Sequence, residues 1–449
     1  MAHDEAFASR HIYAGEELWR REFDSFDVFC RKRDAARAKA KALQGDHGAL
    51  RGLIFAWAEA LERDAEALAV MVCEEVGRCL GECRAELAKS AQLMRYYADR
   101  SEALLADRPI ATAASSSWAS FEPLGTILAV MPWNYPVWQA LRFAIPALCA
   151  GNACLVKPAP SVGRVSEALL RLAPAPLPFD LVCLSRADTQ RAIDLCDGLA
   201  FTGSAETGSK LAARAGASLK KSVMELGGSN PLIVLDDADL GAAARAACYS
   251  RFRDAGQSCN AAKRIVVERA VAPAFVDLFV EEARKLRPGD PMDPKTTLAA
   301  LHLPDAPERM AQLVADALGK GARLLLGGER IDGPFYPATV LADAPLDARL
   351  ATEESFGPVA PIFVVDGDEE AIETANATPF GLGAAIFGSD LGRASRIAKR
   401  IEAGSVYVNR HTSSDINLPF GGVKRSGYGR ELSSFGLYEF VNVKSNWVR

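Results

Sequence analysis

The chain is expected to fold as an α/β protein of two doubly wound parallel-sheet domains with a small β arm, and three observations carry that expectation. Short apolar runs such as Gly125-Thr126-Ile127-Leu128-Ala129-Val130-Met131 and Ala153-Cys154-Leu155-Val156 alternate with helical stretches along two successive regions. Strands linked by helical crossovers pair in parallel, with helices on both faces. A length of 449 residues exceeds what one hydrophobic core usually serves, so at least two domains follow. Residues 113–122 and Glu439 to Val448 alternate at either flank of that body, as exposed strands do that pair beyond their own sheet.

Taken in order, apolar residues recur at three- and four-residue intervals from Glu16 to Leu105, among them Leu53, Trp57, Leu61 and Leu68, the spacing of successive amphipathic helices. No starting strand is evident in residues 1–15. The exposed strand of 113–122 precedes a buried strand at 125–131, a helix to Ala150 and a strand ending at Lys157. A helix near Val165 to Leu172, a strand near Leu181 to Leu184, a helix near Thr189 to Cys196, the strand Leu199-Ala200-Phe201 and a helix after Gly203 continue the alternation. The theme repeats from Leu232 to Val408. Proline-rich Leu172 to Pro178 and Leu286 to Pro307 are expected to be surface loops.

Composition narrows the function. A net charge of −5 without a basic stripe argues against nucleic acid or an anionic membrane as the main partner. No charge-free apolar run approaches the ~18 residues of a spanning helix. Met1 to Arg21 lacks a hydrophobic signal core, so a cytoplasmic location is expected. The ten cysteines keep no regular spacing, and Cys73, Cys79 and Cys83 lie in a helical pattern without histidines, which disfavours both disulfides and a metal site.

One cysteine stands apart. Cys259 follows the glycine turn Asp254-Ala255-Gly256-Gln257-Ser258 and precedes small residues leading into the strand Ile265-Val266-Val267. Arg253, Lys263 and Arg264 lie within a few residues, and nearby positive charge favours the nucleophilic thiolate. A cysteine in apolar helical surroundings is otherwise a small hydrophobe. Upstream, Met224-Glu225-Leu226-Gly227-Gly228-Ser229-Asn230-Pro231 wedges Glu225 between apolar residues that would raise its pKa, and its glycines leave room to swing. Alone, Glu225 also fits a structural carboxylate at a strand edge. Together with Pro132-Trp133-Asn134-Tyr135-Pro136, these motifs in this order resemble the aldehyde dehydrogenase superfamily from roughly Arg51 to Phe440, most of all its NAD(P)-dependent succinate-semialdehyde dehydrogenases.

The resemblance implies a Rossmann-like dinucleotide-binding domain over residues 1–107 and 124–228 and a catalytic domain over 229–427. It also implies an oligomerisation arm over 108–123 and 428–449, and hence a homodimer or homotetramer. It further implies oxidation of an aldehyde to a carboxylate: Cys259 attacks, Asn134 and the Cys259 N–H hold the oxyanion, and Glu225 activates water. Trp133, Lys157, Ser161, Gly203, Ser204, Glu354 and Phe356 match its cofactor contacts. Pro160 stands where NAD-preferring members carry a glutamate, so either NADP or NAD is expected, with NADP at least tolerated. Arg142, Arg253 and Ser414 match a carboxylate clamp, which makes succinate semialdehyde the expected substrate. Against that stands a protein carboxylate such as Asp254 pairing with either arginine. Arg410 and His411 are unusual residues expected to narrow the tunnel or to shift it toward a longer semialdehyde such as glutarate semialdehyde. An aliphatic or aromatic aldehyde is also compatible with these motifs, whereas transfer of the thioester to coenzyme A is disfavoured by Glu225. A retired enzyme acting as a structural or binding protein is disfavoured because neither nucleophile nor base is lost.

Overall fold

Strand order places two large sheets side by side in the computed structural model, which describes residues 6–449. Residues 1–5 of the expected cofactor domain lie outside the described residues. The first sheet runs Gly427–Tyr428, Lys221–Glu225, Gly198–Thr202, Thr126–Val130, Ala153–Lys157, Phe179–Leu181, parallel except at its first pair. The second runs Arg323–Leu326, Thr339–Ala342, Val359–Val365, Ala262–Glu268, Asn230–Val234, Gly383–Phe387, Ser405–Val408, with only the first pair antiparallel. Central strands such as Asn230–Val234 are buried throughout, because helices cover both faces and no side chain has a solvent side. This is the α/β, doubly wound architecture that the alternation predicts.

The N-terminal expectation needs correction. Ala6–Arg10 pairs antiparallel with Glu17–Glu22, so a starting strand exists and the helical run begins only at Phe26. The pattern is short and half polar: Phe7 and Ser9 point inward while charged Glu17 and Arg20 point out, too few positions to stand out against a helical period. Four helices follow, Phe26–Ala42, His47–Arg63, Ala65–Val76 and Leu80–Leu104. Ser25 and Asp46 cap the first two by accepting from the N–H of Val28 and Ala49. Trp57 is fully buried against the Phe179 ring, fastening this layer to the first sheet.

The expected surface loop from Leu286 to Pro307 is also only half right. Its second part, Leu298 to His302, is buried because the Gln257 amide brackets it: Nε2 donates to Ala300 O at 2.8 Å and Oε1 accepts from His302 N at 2.8 Å. Main-chain groups there are paired by a side chain rather than by water, which permits burial without a sheet.

A separate three-stranded sheet joins Arg108–Pro109 and Val441–Val448 to Ser116–Pro123, and Val443, Trp447 and Val448 on its outer strand are exposed. Asn152 ties it to the first domain. Fully buried, its amide donates to Ala147 O and Phe440 O at 3.0 and 2.8 Å and its oxygen accepts from Gly125 N at 3.0 Å. Asn152→Ala strips the partners from those groups, each costing roughly 1–3 kcal/mol if it stays buried and unpaired. We expect a lower urea midpoint and faster amide exchange in 441–448, measured by denaturation and hydrogen-exchange mass spectrometry.

Candidate active site

The helix Leu240–Phe252 hands the chain to a turn in which Asp254, Ala255 and Gly256 take φ of 53°, 51° and 73°. Left-handed backbone is unfavourable for Asp and Ala, so the surroundings must enforce it. At Gly256 a Cβ would lie 2.1 Å from the Arg251 guanidinium and 2.6 Å from Gly357 O, which leaves glycine as the residue that fits. Asp254 is the anchor. Its carboxylate accepts from Arg78 Nε at 2.5 Å, from Arg253 Nε at 3.0 Å and from the Tyr135 hydroxyl, while its own N–H donates to Glu82 Oε1 at 2.9 Å. Burial opposes ionisation of Asp254, yet the two guanidinium groups hold its carboxyl down at about 2. Arg78 also pairs with Glu86, whose other oxygen accepts from Val137 N and Trp138 N and so caps the helix Pro136–Cys149.

The turn delivers Cys259 to the wall shared by two cavities. One, of about 610 Å³, is lined by Trp133, Asn134, Gly203, Ser204, Glu225, Glu354 and Phe356 as well as Cys259. The other, of about 250 Å³, is lined by Cys259 with Lys89, Trp138, Arg142, Arg253 and Ser414. Gln139 touches both.

In the larger cavity, Ser204 caps the helix Ala205–Ala217 by accepting from Thr207 N, and the helix N-terminus opens inward, a place suited to an anion. Glu354 Oε1 is fixed by Lys263 Nζ at 2.7 Å and Gly228 N at 3.1 Å. A Cβ at Gly227 would lie 2.1 Å from Glu354 Oε2, so the glycine leaves this carboxylate room to stand where it does. Asn134 spends one amide hydrogen on Gln257 O at 3.0 Å and keeps the other. Glu225 ends the strand Lys221–Glu225 almost wholly buried, and its Oε1 has no hydrogen-bond partner among the described residues. Burial first, then repulsion from Glu431, pushes Glu225 well above the usual carboxylate range, against the pull of Arg142.

Not every basic neighbour of Cys259 serves it. Arg264 is turned away onto Ser229 O, Thr374 O and Ala375 O, and Arg253 is taken by Asp254. Of the three, Lys263 alone reaches the cysteine, donating to Cys259 O at 3.2 Å. Burial therefore outweighs Arg142 and Lys263 and pushes the thiol up, with Glu354 and Glu225 adding to the rise.

Three expected ligands lie differently from their sequence reading. Arg142 faces the smaller cavity, but its Nε meets Glu431 Oε2 at 2.5 Å and it donates to Thr202, so its charge is already answered by the protein. The Ser161 hydroxyl is hydrogen-bonded with His302 Nε2 at 2.8 Å, outside the larger cavity. Lys157 also lies off that cavity, its ammonium 5.0 Å over the ring of Phe7 from the unforeseen N-terminal hairpin; burial brings it down to about 8. Arg410 is exposed and His411 packs on Tyr249 at 5.0 Å, and neither lines the smaller cavity. Sequence reading passed over Lys89, Glu431 and His302. Glu82, Glu86 and Lys89 at helical spacing, a charged stripe beside Cys83, Leu87 and Ser90 of the buried face, were the signal available for the first.

Residues 28–446 match the sequence model described as the Aldehyde dehydrogenase family. The succinate semialdehyde dehydrogenase (NAD(P)+) Sad of Escherichia coli K12 is 42% identical over 397 residues, covering 87% of this chain and 86% of that protein. The succinate-semialdehyde dehydrogenase (NADP+) 1 of Mycobacterium tuberculosis H37Rv is 43% identical over 434 residues, covering 92% and 94%. The crystal structure of succinic semialdehyde dehydrogenase from Streptococcus pyogenes in complex with NADP+ superposes with a TM-score of 0.95 at 32% identity, covering 99% of this chain and 100% of that one.

The raised thiol gives a test by chemical labelling. Because burial disfavours the thiolate, the iodoacetamide rate at Cys259 is expected to rise with pH through an inflection above the ~8.5 of a free cysteine. Lys263→Met removes a cation and leaves Glu354 in place, so the inflection moves higher still. Peptide-resolved mass spectrometry across pH measures both, and a wild-type inflection at or below ~8.5 would contradict the assignment.

Proposed function

We propose that this chain, which belongs to the aldehyde dehydrogenase family, oxidises a carboxylate-bearing aldehyde to the acid with NAD(P)+, with succinate semialdehyde the best-supported substrate. The observation that carries this is the position of Cys259, where a cavity with a helix N-terminus and a ribose-ready carboxylate meets a cavity lined by cations. The names of the relatives point to the same substrate and to NADP as well as NAD.

The residues present fit a dinucleotide. The N-terminus of Ala205–Ala217 with Gly203 and Ser204 suits a pyrophosphate, Glu354 a ribose hydroxyl, and Phe356 and Trp133, 5.8 Å apart and edge to face, the walls around a nicotinamide. Lys157 and Ser161, off the cavity, serve the adenosine end after releasing their present contacts. Pro160 puts no carboxylate there to repel a 2′-phosphate. Bound in that cavity, the nicotinamide supplies the hydride acceptor.

The chain's own groups do the rest. Cys259 Sγ, as thiolate, bonds to the aldehyde carbon, and the oxygen that gains charge is met by the free Asn134 amide hydrogen and the Cys259 N–H. Each such donor contributes on the order of 3 kcal/mol in acyl chemistry. After hydride loss the carbon is a thioester. Glu225, made more basic by burial, takes a proton from the water that attacks it, and the C–S bond breaks to give the acid and the thiol. The substrate's own carboxylate lies toward Arg253 and Ser414 in the smaller cavity. The exposed apolar side chains of Val441–Val448 support a homodimer or homotetramer joined through this strand.

Cys259→Ala is expected to abolish turnover. Glu225→Gln is expected to keep a stoichiometric burst of NAD(P)H while the steady-state rate falls on the order of a hundredfold or more, seen by stopped-flow absorbance. Initial rates with both cofactors on succinate semialdehyde, glutarate semialdehyde, butanal and benzaldehyde are expected to favour succinate semialdehyde. A burst-free Glu225→Gln enzyme at normal rate, or an enzyme that prefers butanal, would overturn the respective assignment.

A further inference from the structure

The smaller cavity is lined by four cations, Arg78, Lys89, Arg142 and Arg253, beside Glu82 and Glu86, and the cations are not equivalent. Arg142 is ion-paired with Glu431 and stacked over Phe420. Arg253 is ion-paired with Asp254, and it donates one further N–H to each of the Tyr135 and Tyr249 hydroxyls. Arg78, which also uses Asp254, has Glu86 as a second carboxylate, so these two arginines face two anions. Lys89 has none. Its ammonium donates to Ser414 O at 2.6 Å and to Ser414 Oγ, and lies 4.3 Å from the centre of the Trp138 ring. Both oxygens are neutral, and it forms no ion pair with a carboxylate among the described residues. Lys89 lines the same cavity as Cys259.

From this we infer that Lys89 is the specificity residue that holds the remote carboxylate of a short ω-oxo acid whose aldehyde meets Cys259, with Ser414 as its partner and Arg253 as a flanking cation. The inference rests on the proposed carboxylate-bearing substrate. A lone ammonium near other cations gains most from an incoming anion, whereas an arginine already bonded to a carboxylate must share it. Lys89 stands on the helix Leu80–Leu104, so the charge is presented from the cavity wall without a flexible loop.

The surroundings of Lys89 also give it a pH signature. Burial, then Arg142 on the helix Pro136–Cys149 and Arg253 on the catalytic turn, bring it down to about 8, against Asp415 and Cys259. A carboxylate bound to Lys89 favours its charged form, so binding of the anionic substrate weakens as pH rises past that value. Cys259 titrates in the same cavity and affects every aldehyde, so the quantity to follow is a ratio: kcat/KM for succinate semialdehyde divided by kcat/KM for butanal.

The test measures that ratio from pH 6.5 to 9.5 for wild type, Lys89→Met and Lys89→Arg. We expect wild type to favour succinate semialdehyde at pH 7 and to lose that preference above pH ~8 as the ammonium deprotonates. Lys89→Met should lower the pH 7 ratio on the order of tenfold or more and flatten its pH dependence. Lys89→Arg, charged throughout, should keep most of the ratio and carry it past pH ~9. A Lys89→Met ratio within about twofold of wild type, in an enzyme that does favour succinate semialdehyde, overturns the role of Lys89 alone. A wild type with no such preference overturns the substrate reading and this inference with it.

Discussion

The buried carboxylate of Asp254 is the constraint on which the site depends. It sits in a backbone conformation that costs free energy and is held there by two guanidinium groups and a phenol drawn from three separate segments. Removing one partner of such a network leaves an uncompensated buried charge, at about 3–5 kcal/mol. Through Arg78 the same carboxylate reaches Glu86, which caps the helix bearing Trp138, Gln139 and Arg142. One set of charges thus fixes the turn before Cys259 and the start of the helix that forms the opposite wall of the smaller cavity. Cys259 is positioned by electrostatics between separate elements of the chain rather than by its own strand.

The same economy governs the larger cavity. Lys263 bonds both Cys259 O and Glu354, so the backbone of Cys259 and a carboxylate expected to meet the cofactor share one ammonium. Glu225 lacks that kind of support, and its unpartnered oxygen and its repulsion by Glu431 leave a base that binds a proton readily. Glu225 and Glu354, two of the carboxylates lining this cavity, therefore differ in that one is paired and the other is not.

What the sequence made legible was chemistry that is local in the chain. Asn134, Glu225, Cys259, Gly203, Ser204, Glu354 and Phe356 fall in short motifs at ends of strands, where side chains converge in a doubly wound fold, and they surround one cavity. What it hid was pairing across long separations. Nothing near Arg142 in the chain names Glu431 as its partner, so a free guanidinium was the natural expectation. The hairpin of Ala6–Arg10 and Glu17–Glu22 was lost because few of its positions are apolar, and with it went the contact of Phe7 on Lys157. Lys89 was hidden differently. On a helix that carries several other charges one lysine looks like a solvated charge, and it is the packing of Trp138 and Ser414 around it that takes it from solvent.

The clasp made by the Gln257 side chain bears on how this fold tolerates change in chain length. One amide fixes Ala300 and His302, and His302 in turn stacks on Trp133 at 4.1 Å and holds Ser161. Residues 289–297, on the far side of that clasp, are mostly exposed and belong to a connection whose ends stay fixed whatever its length. Natural gain or loss of residues is therefore free to accumulate before Leu298, while a single added residue between Ala300 and His302 would break the register of the clasp and unseat a tryptophan of the active-site wall.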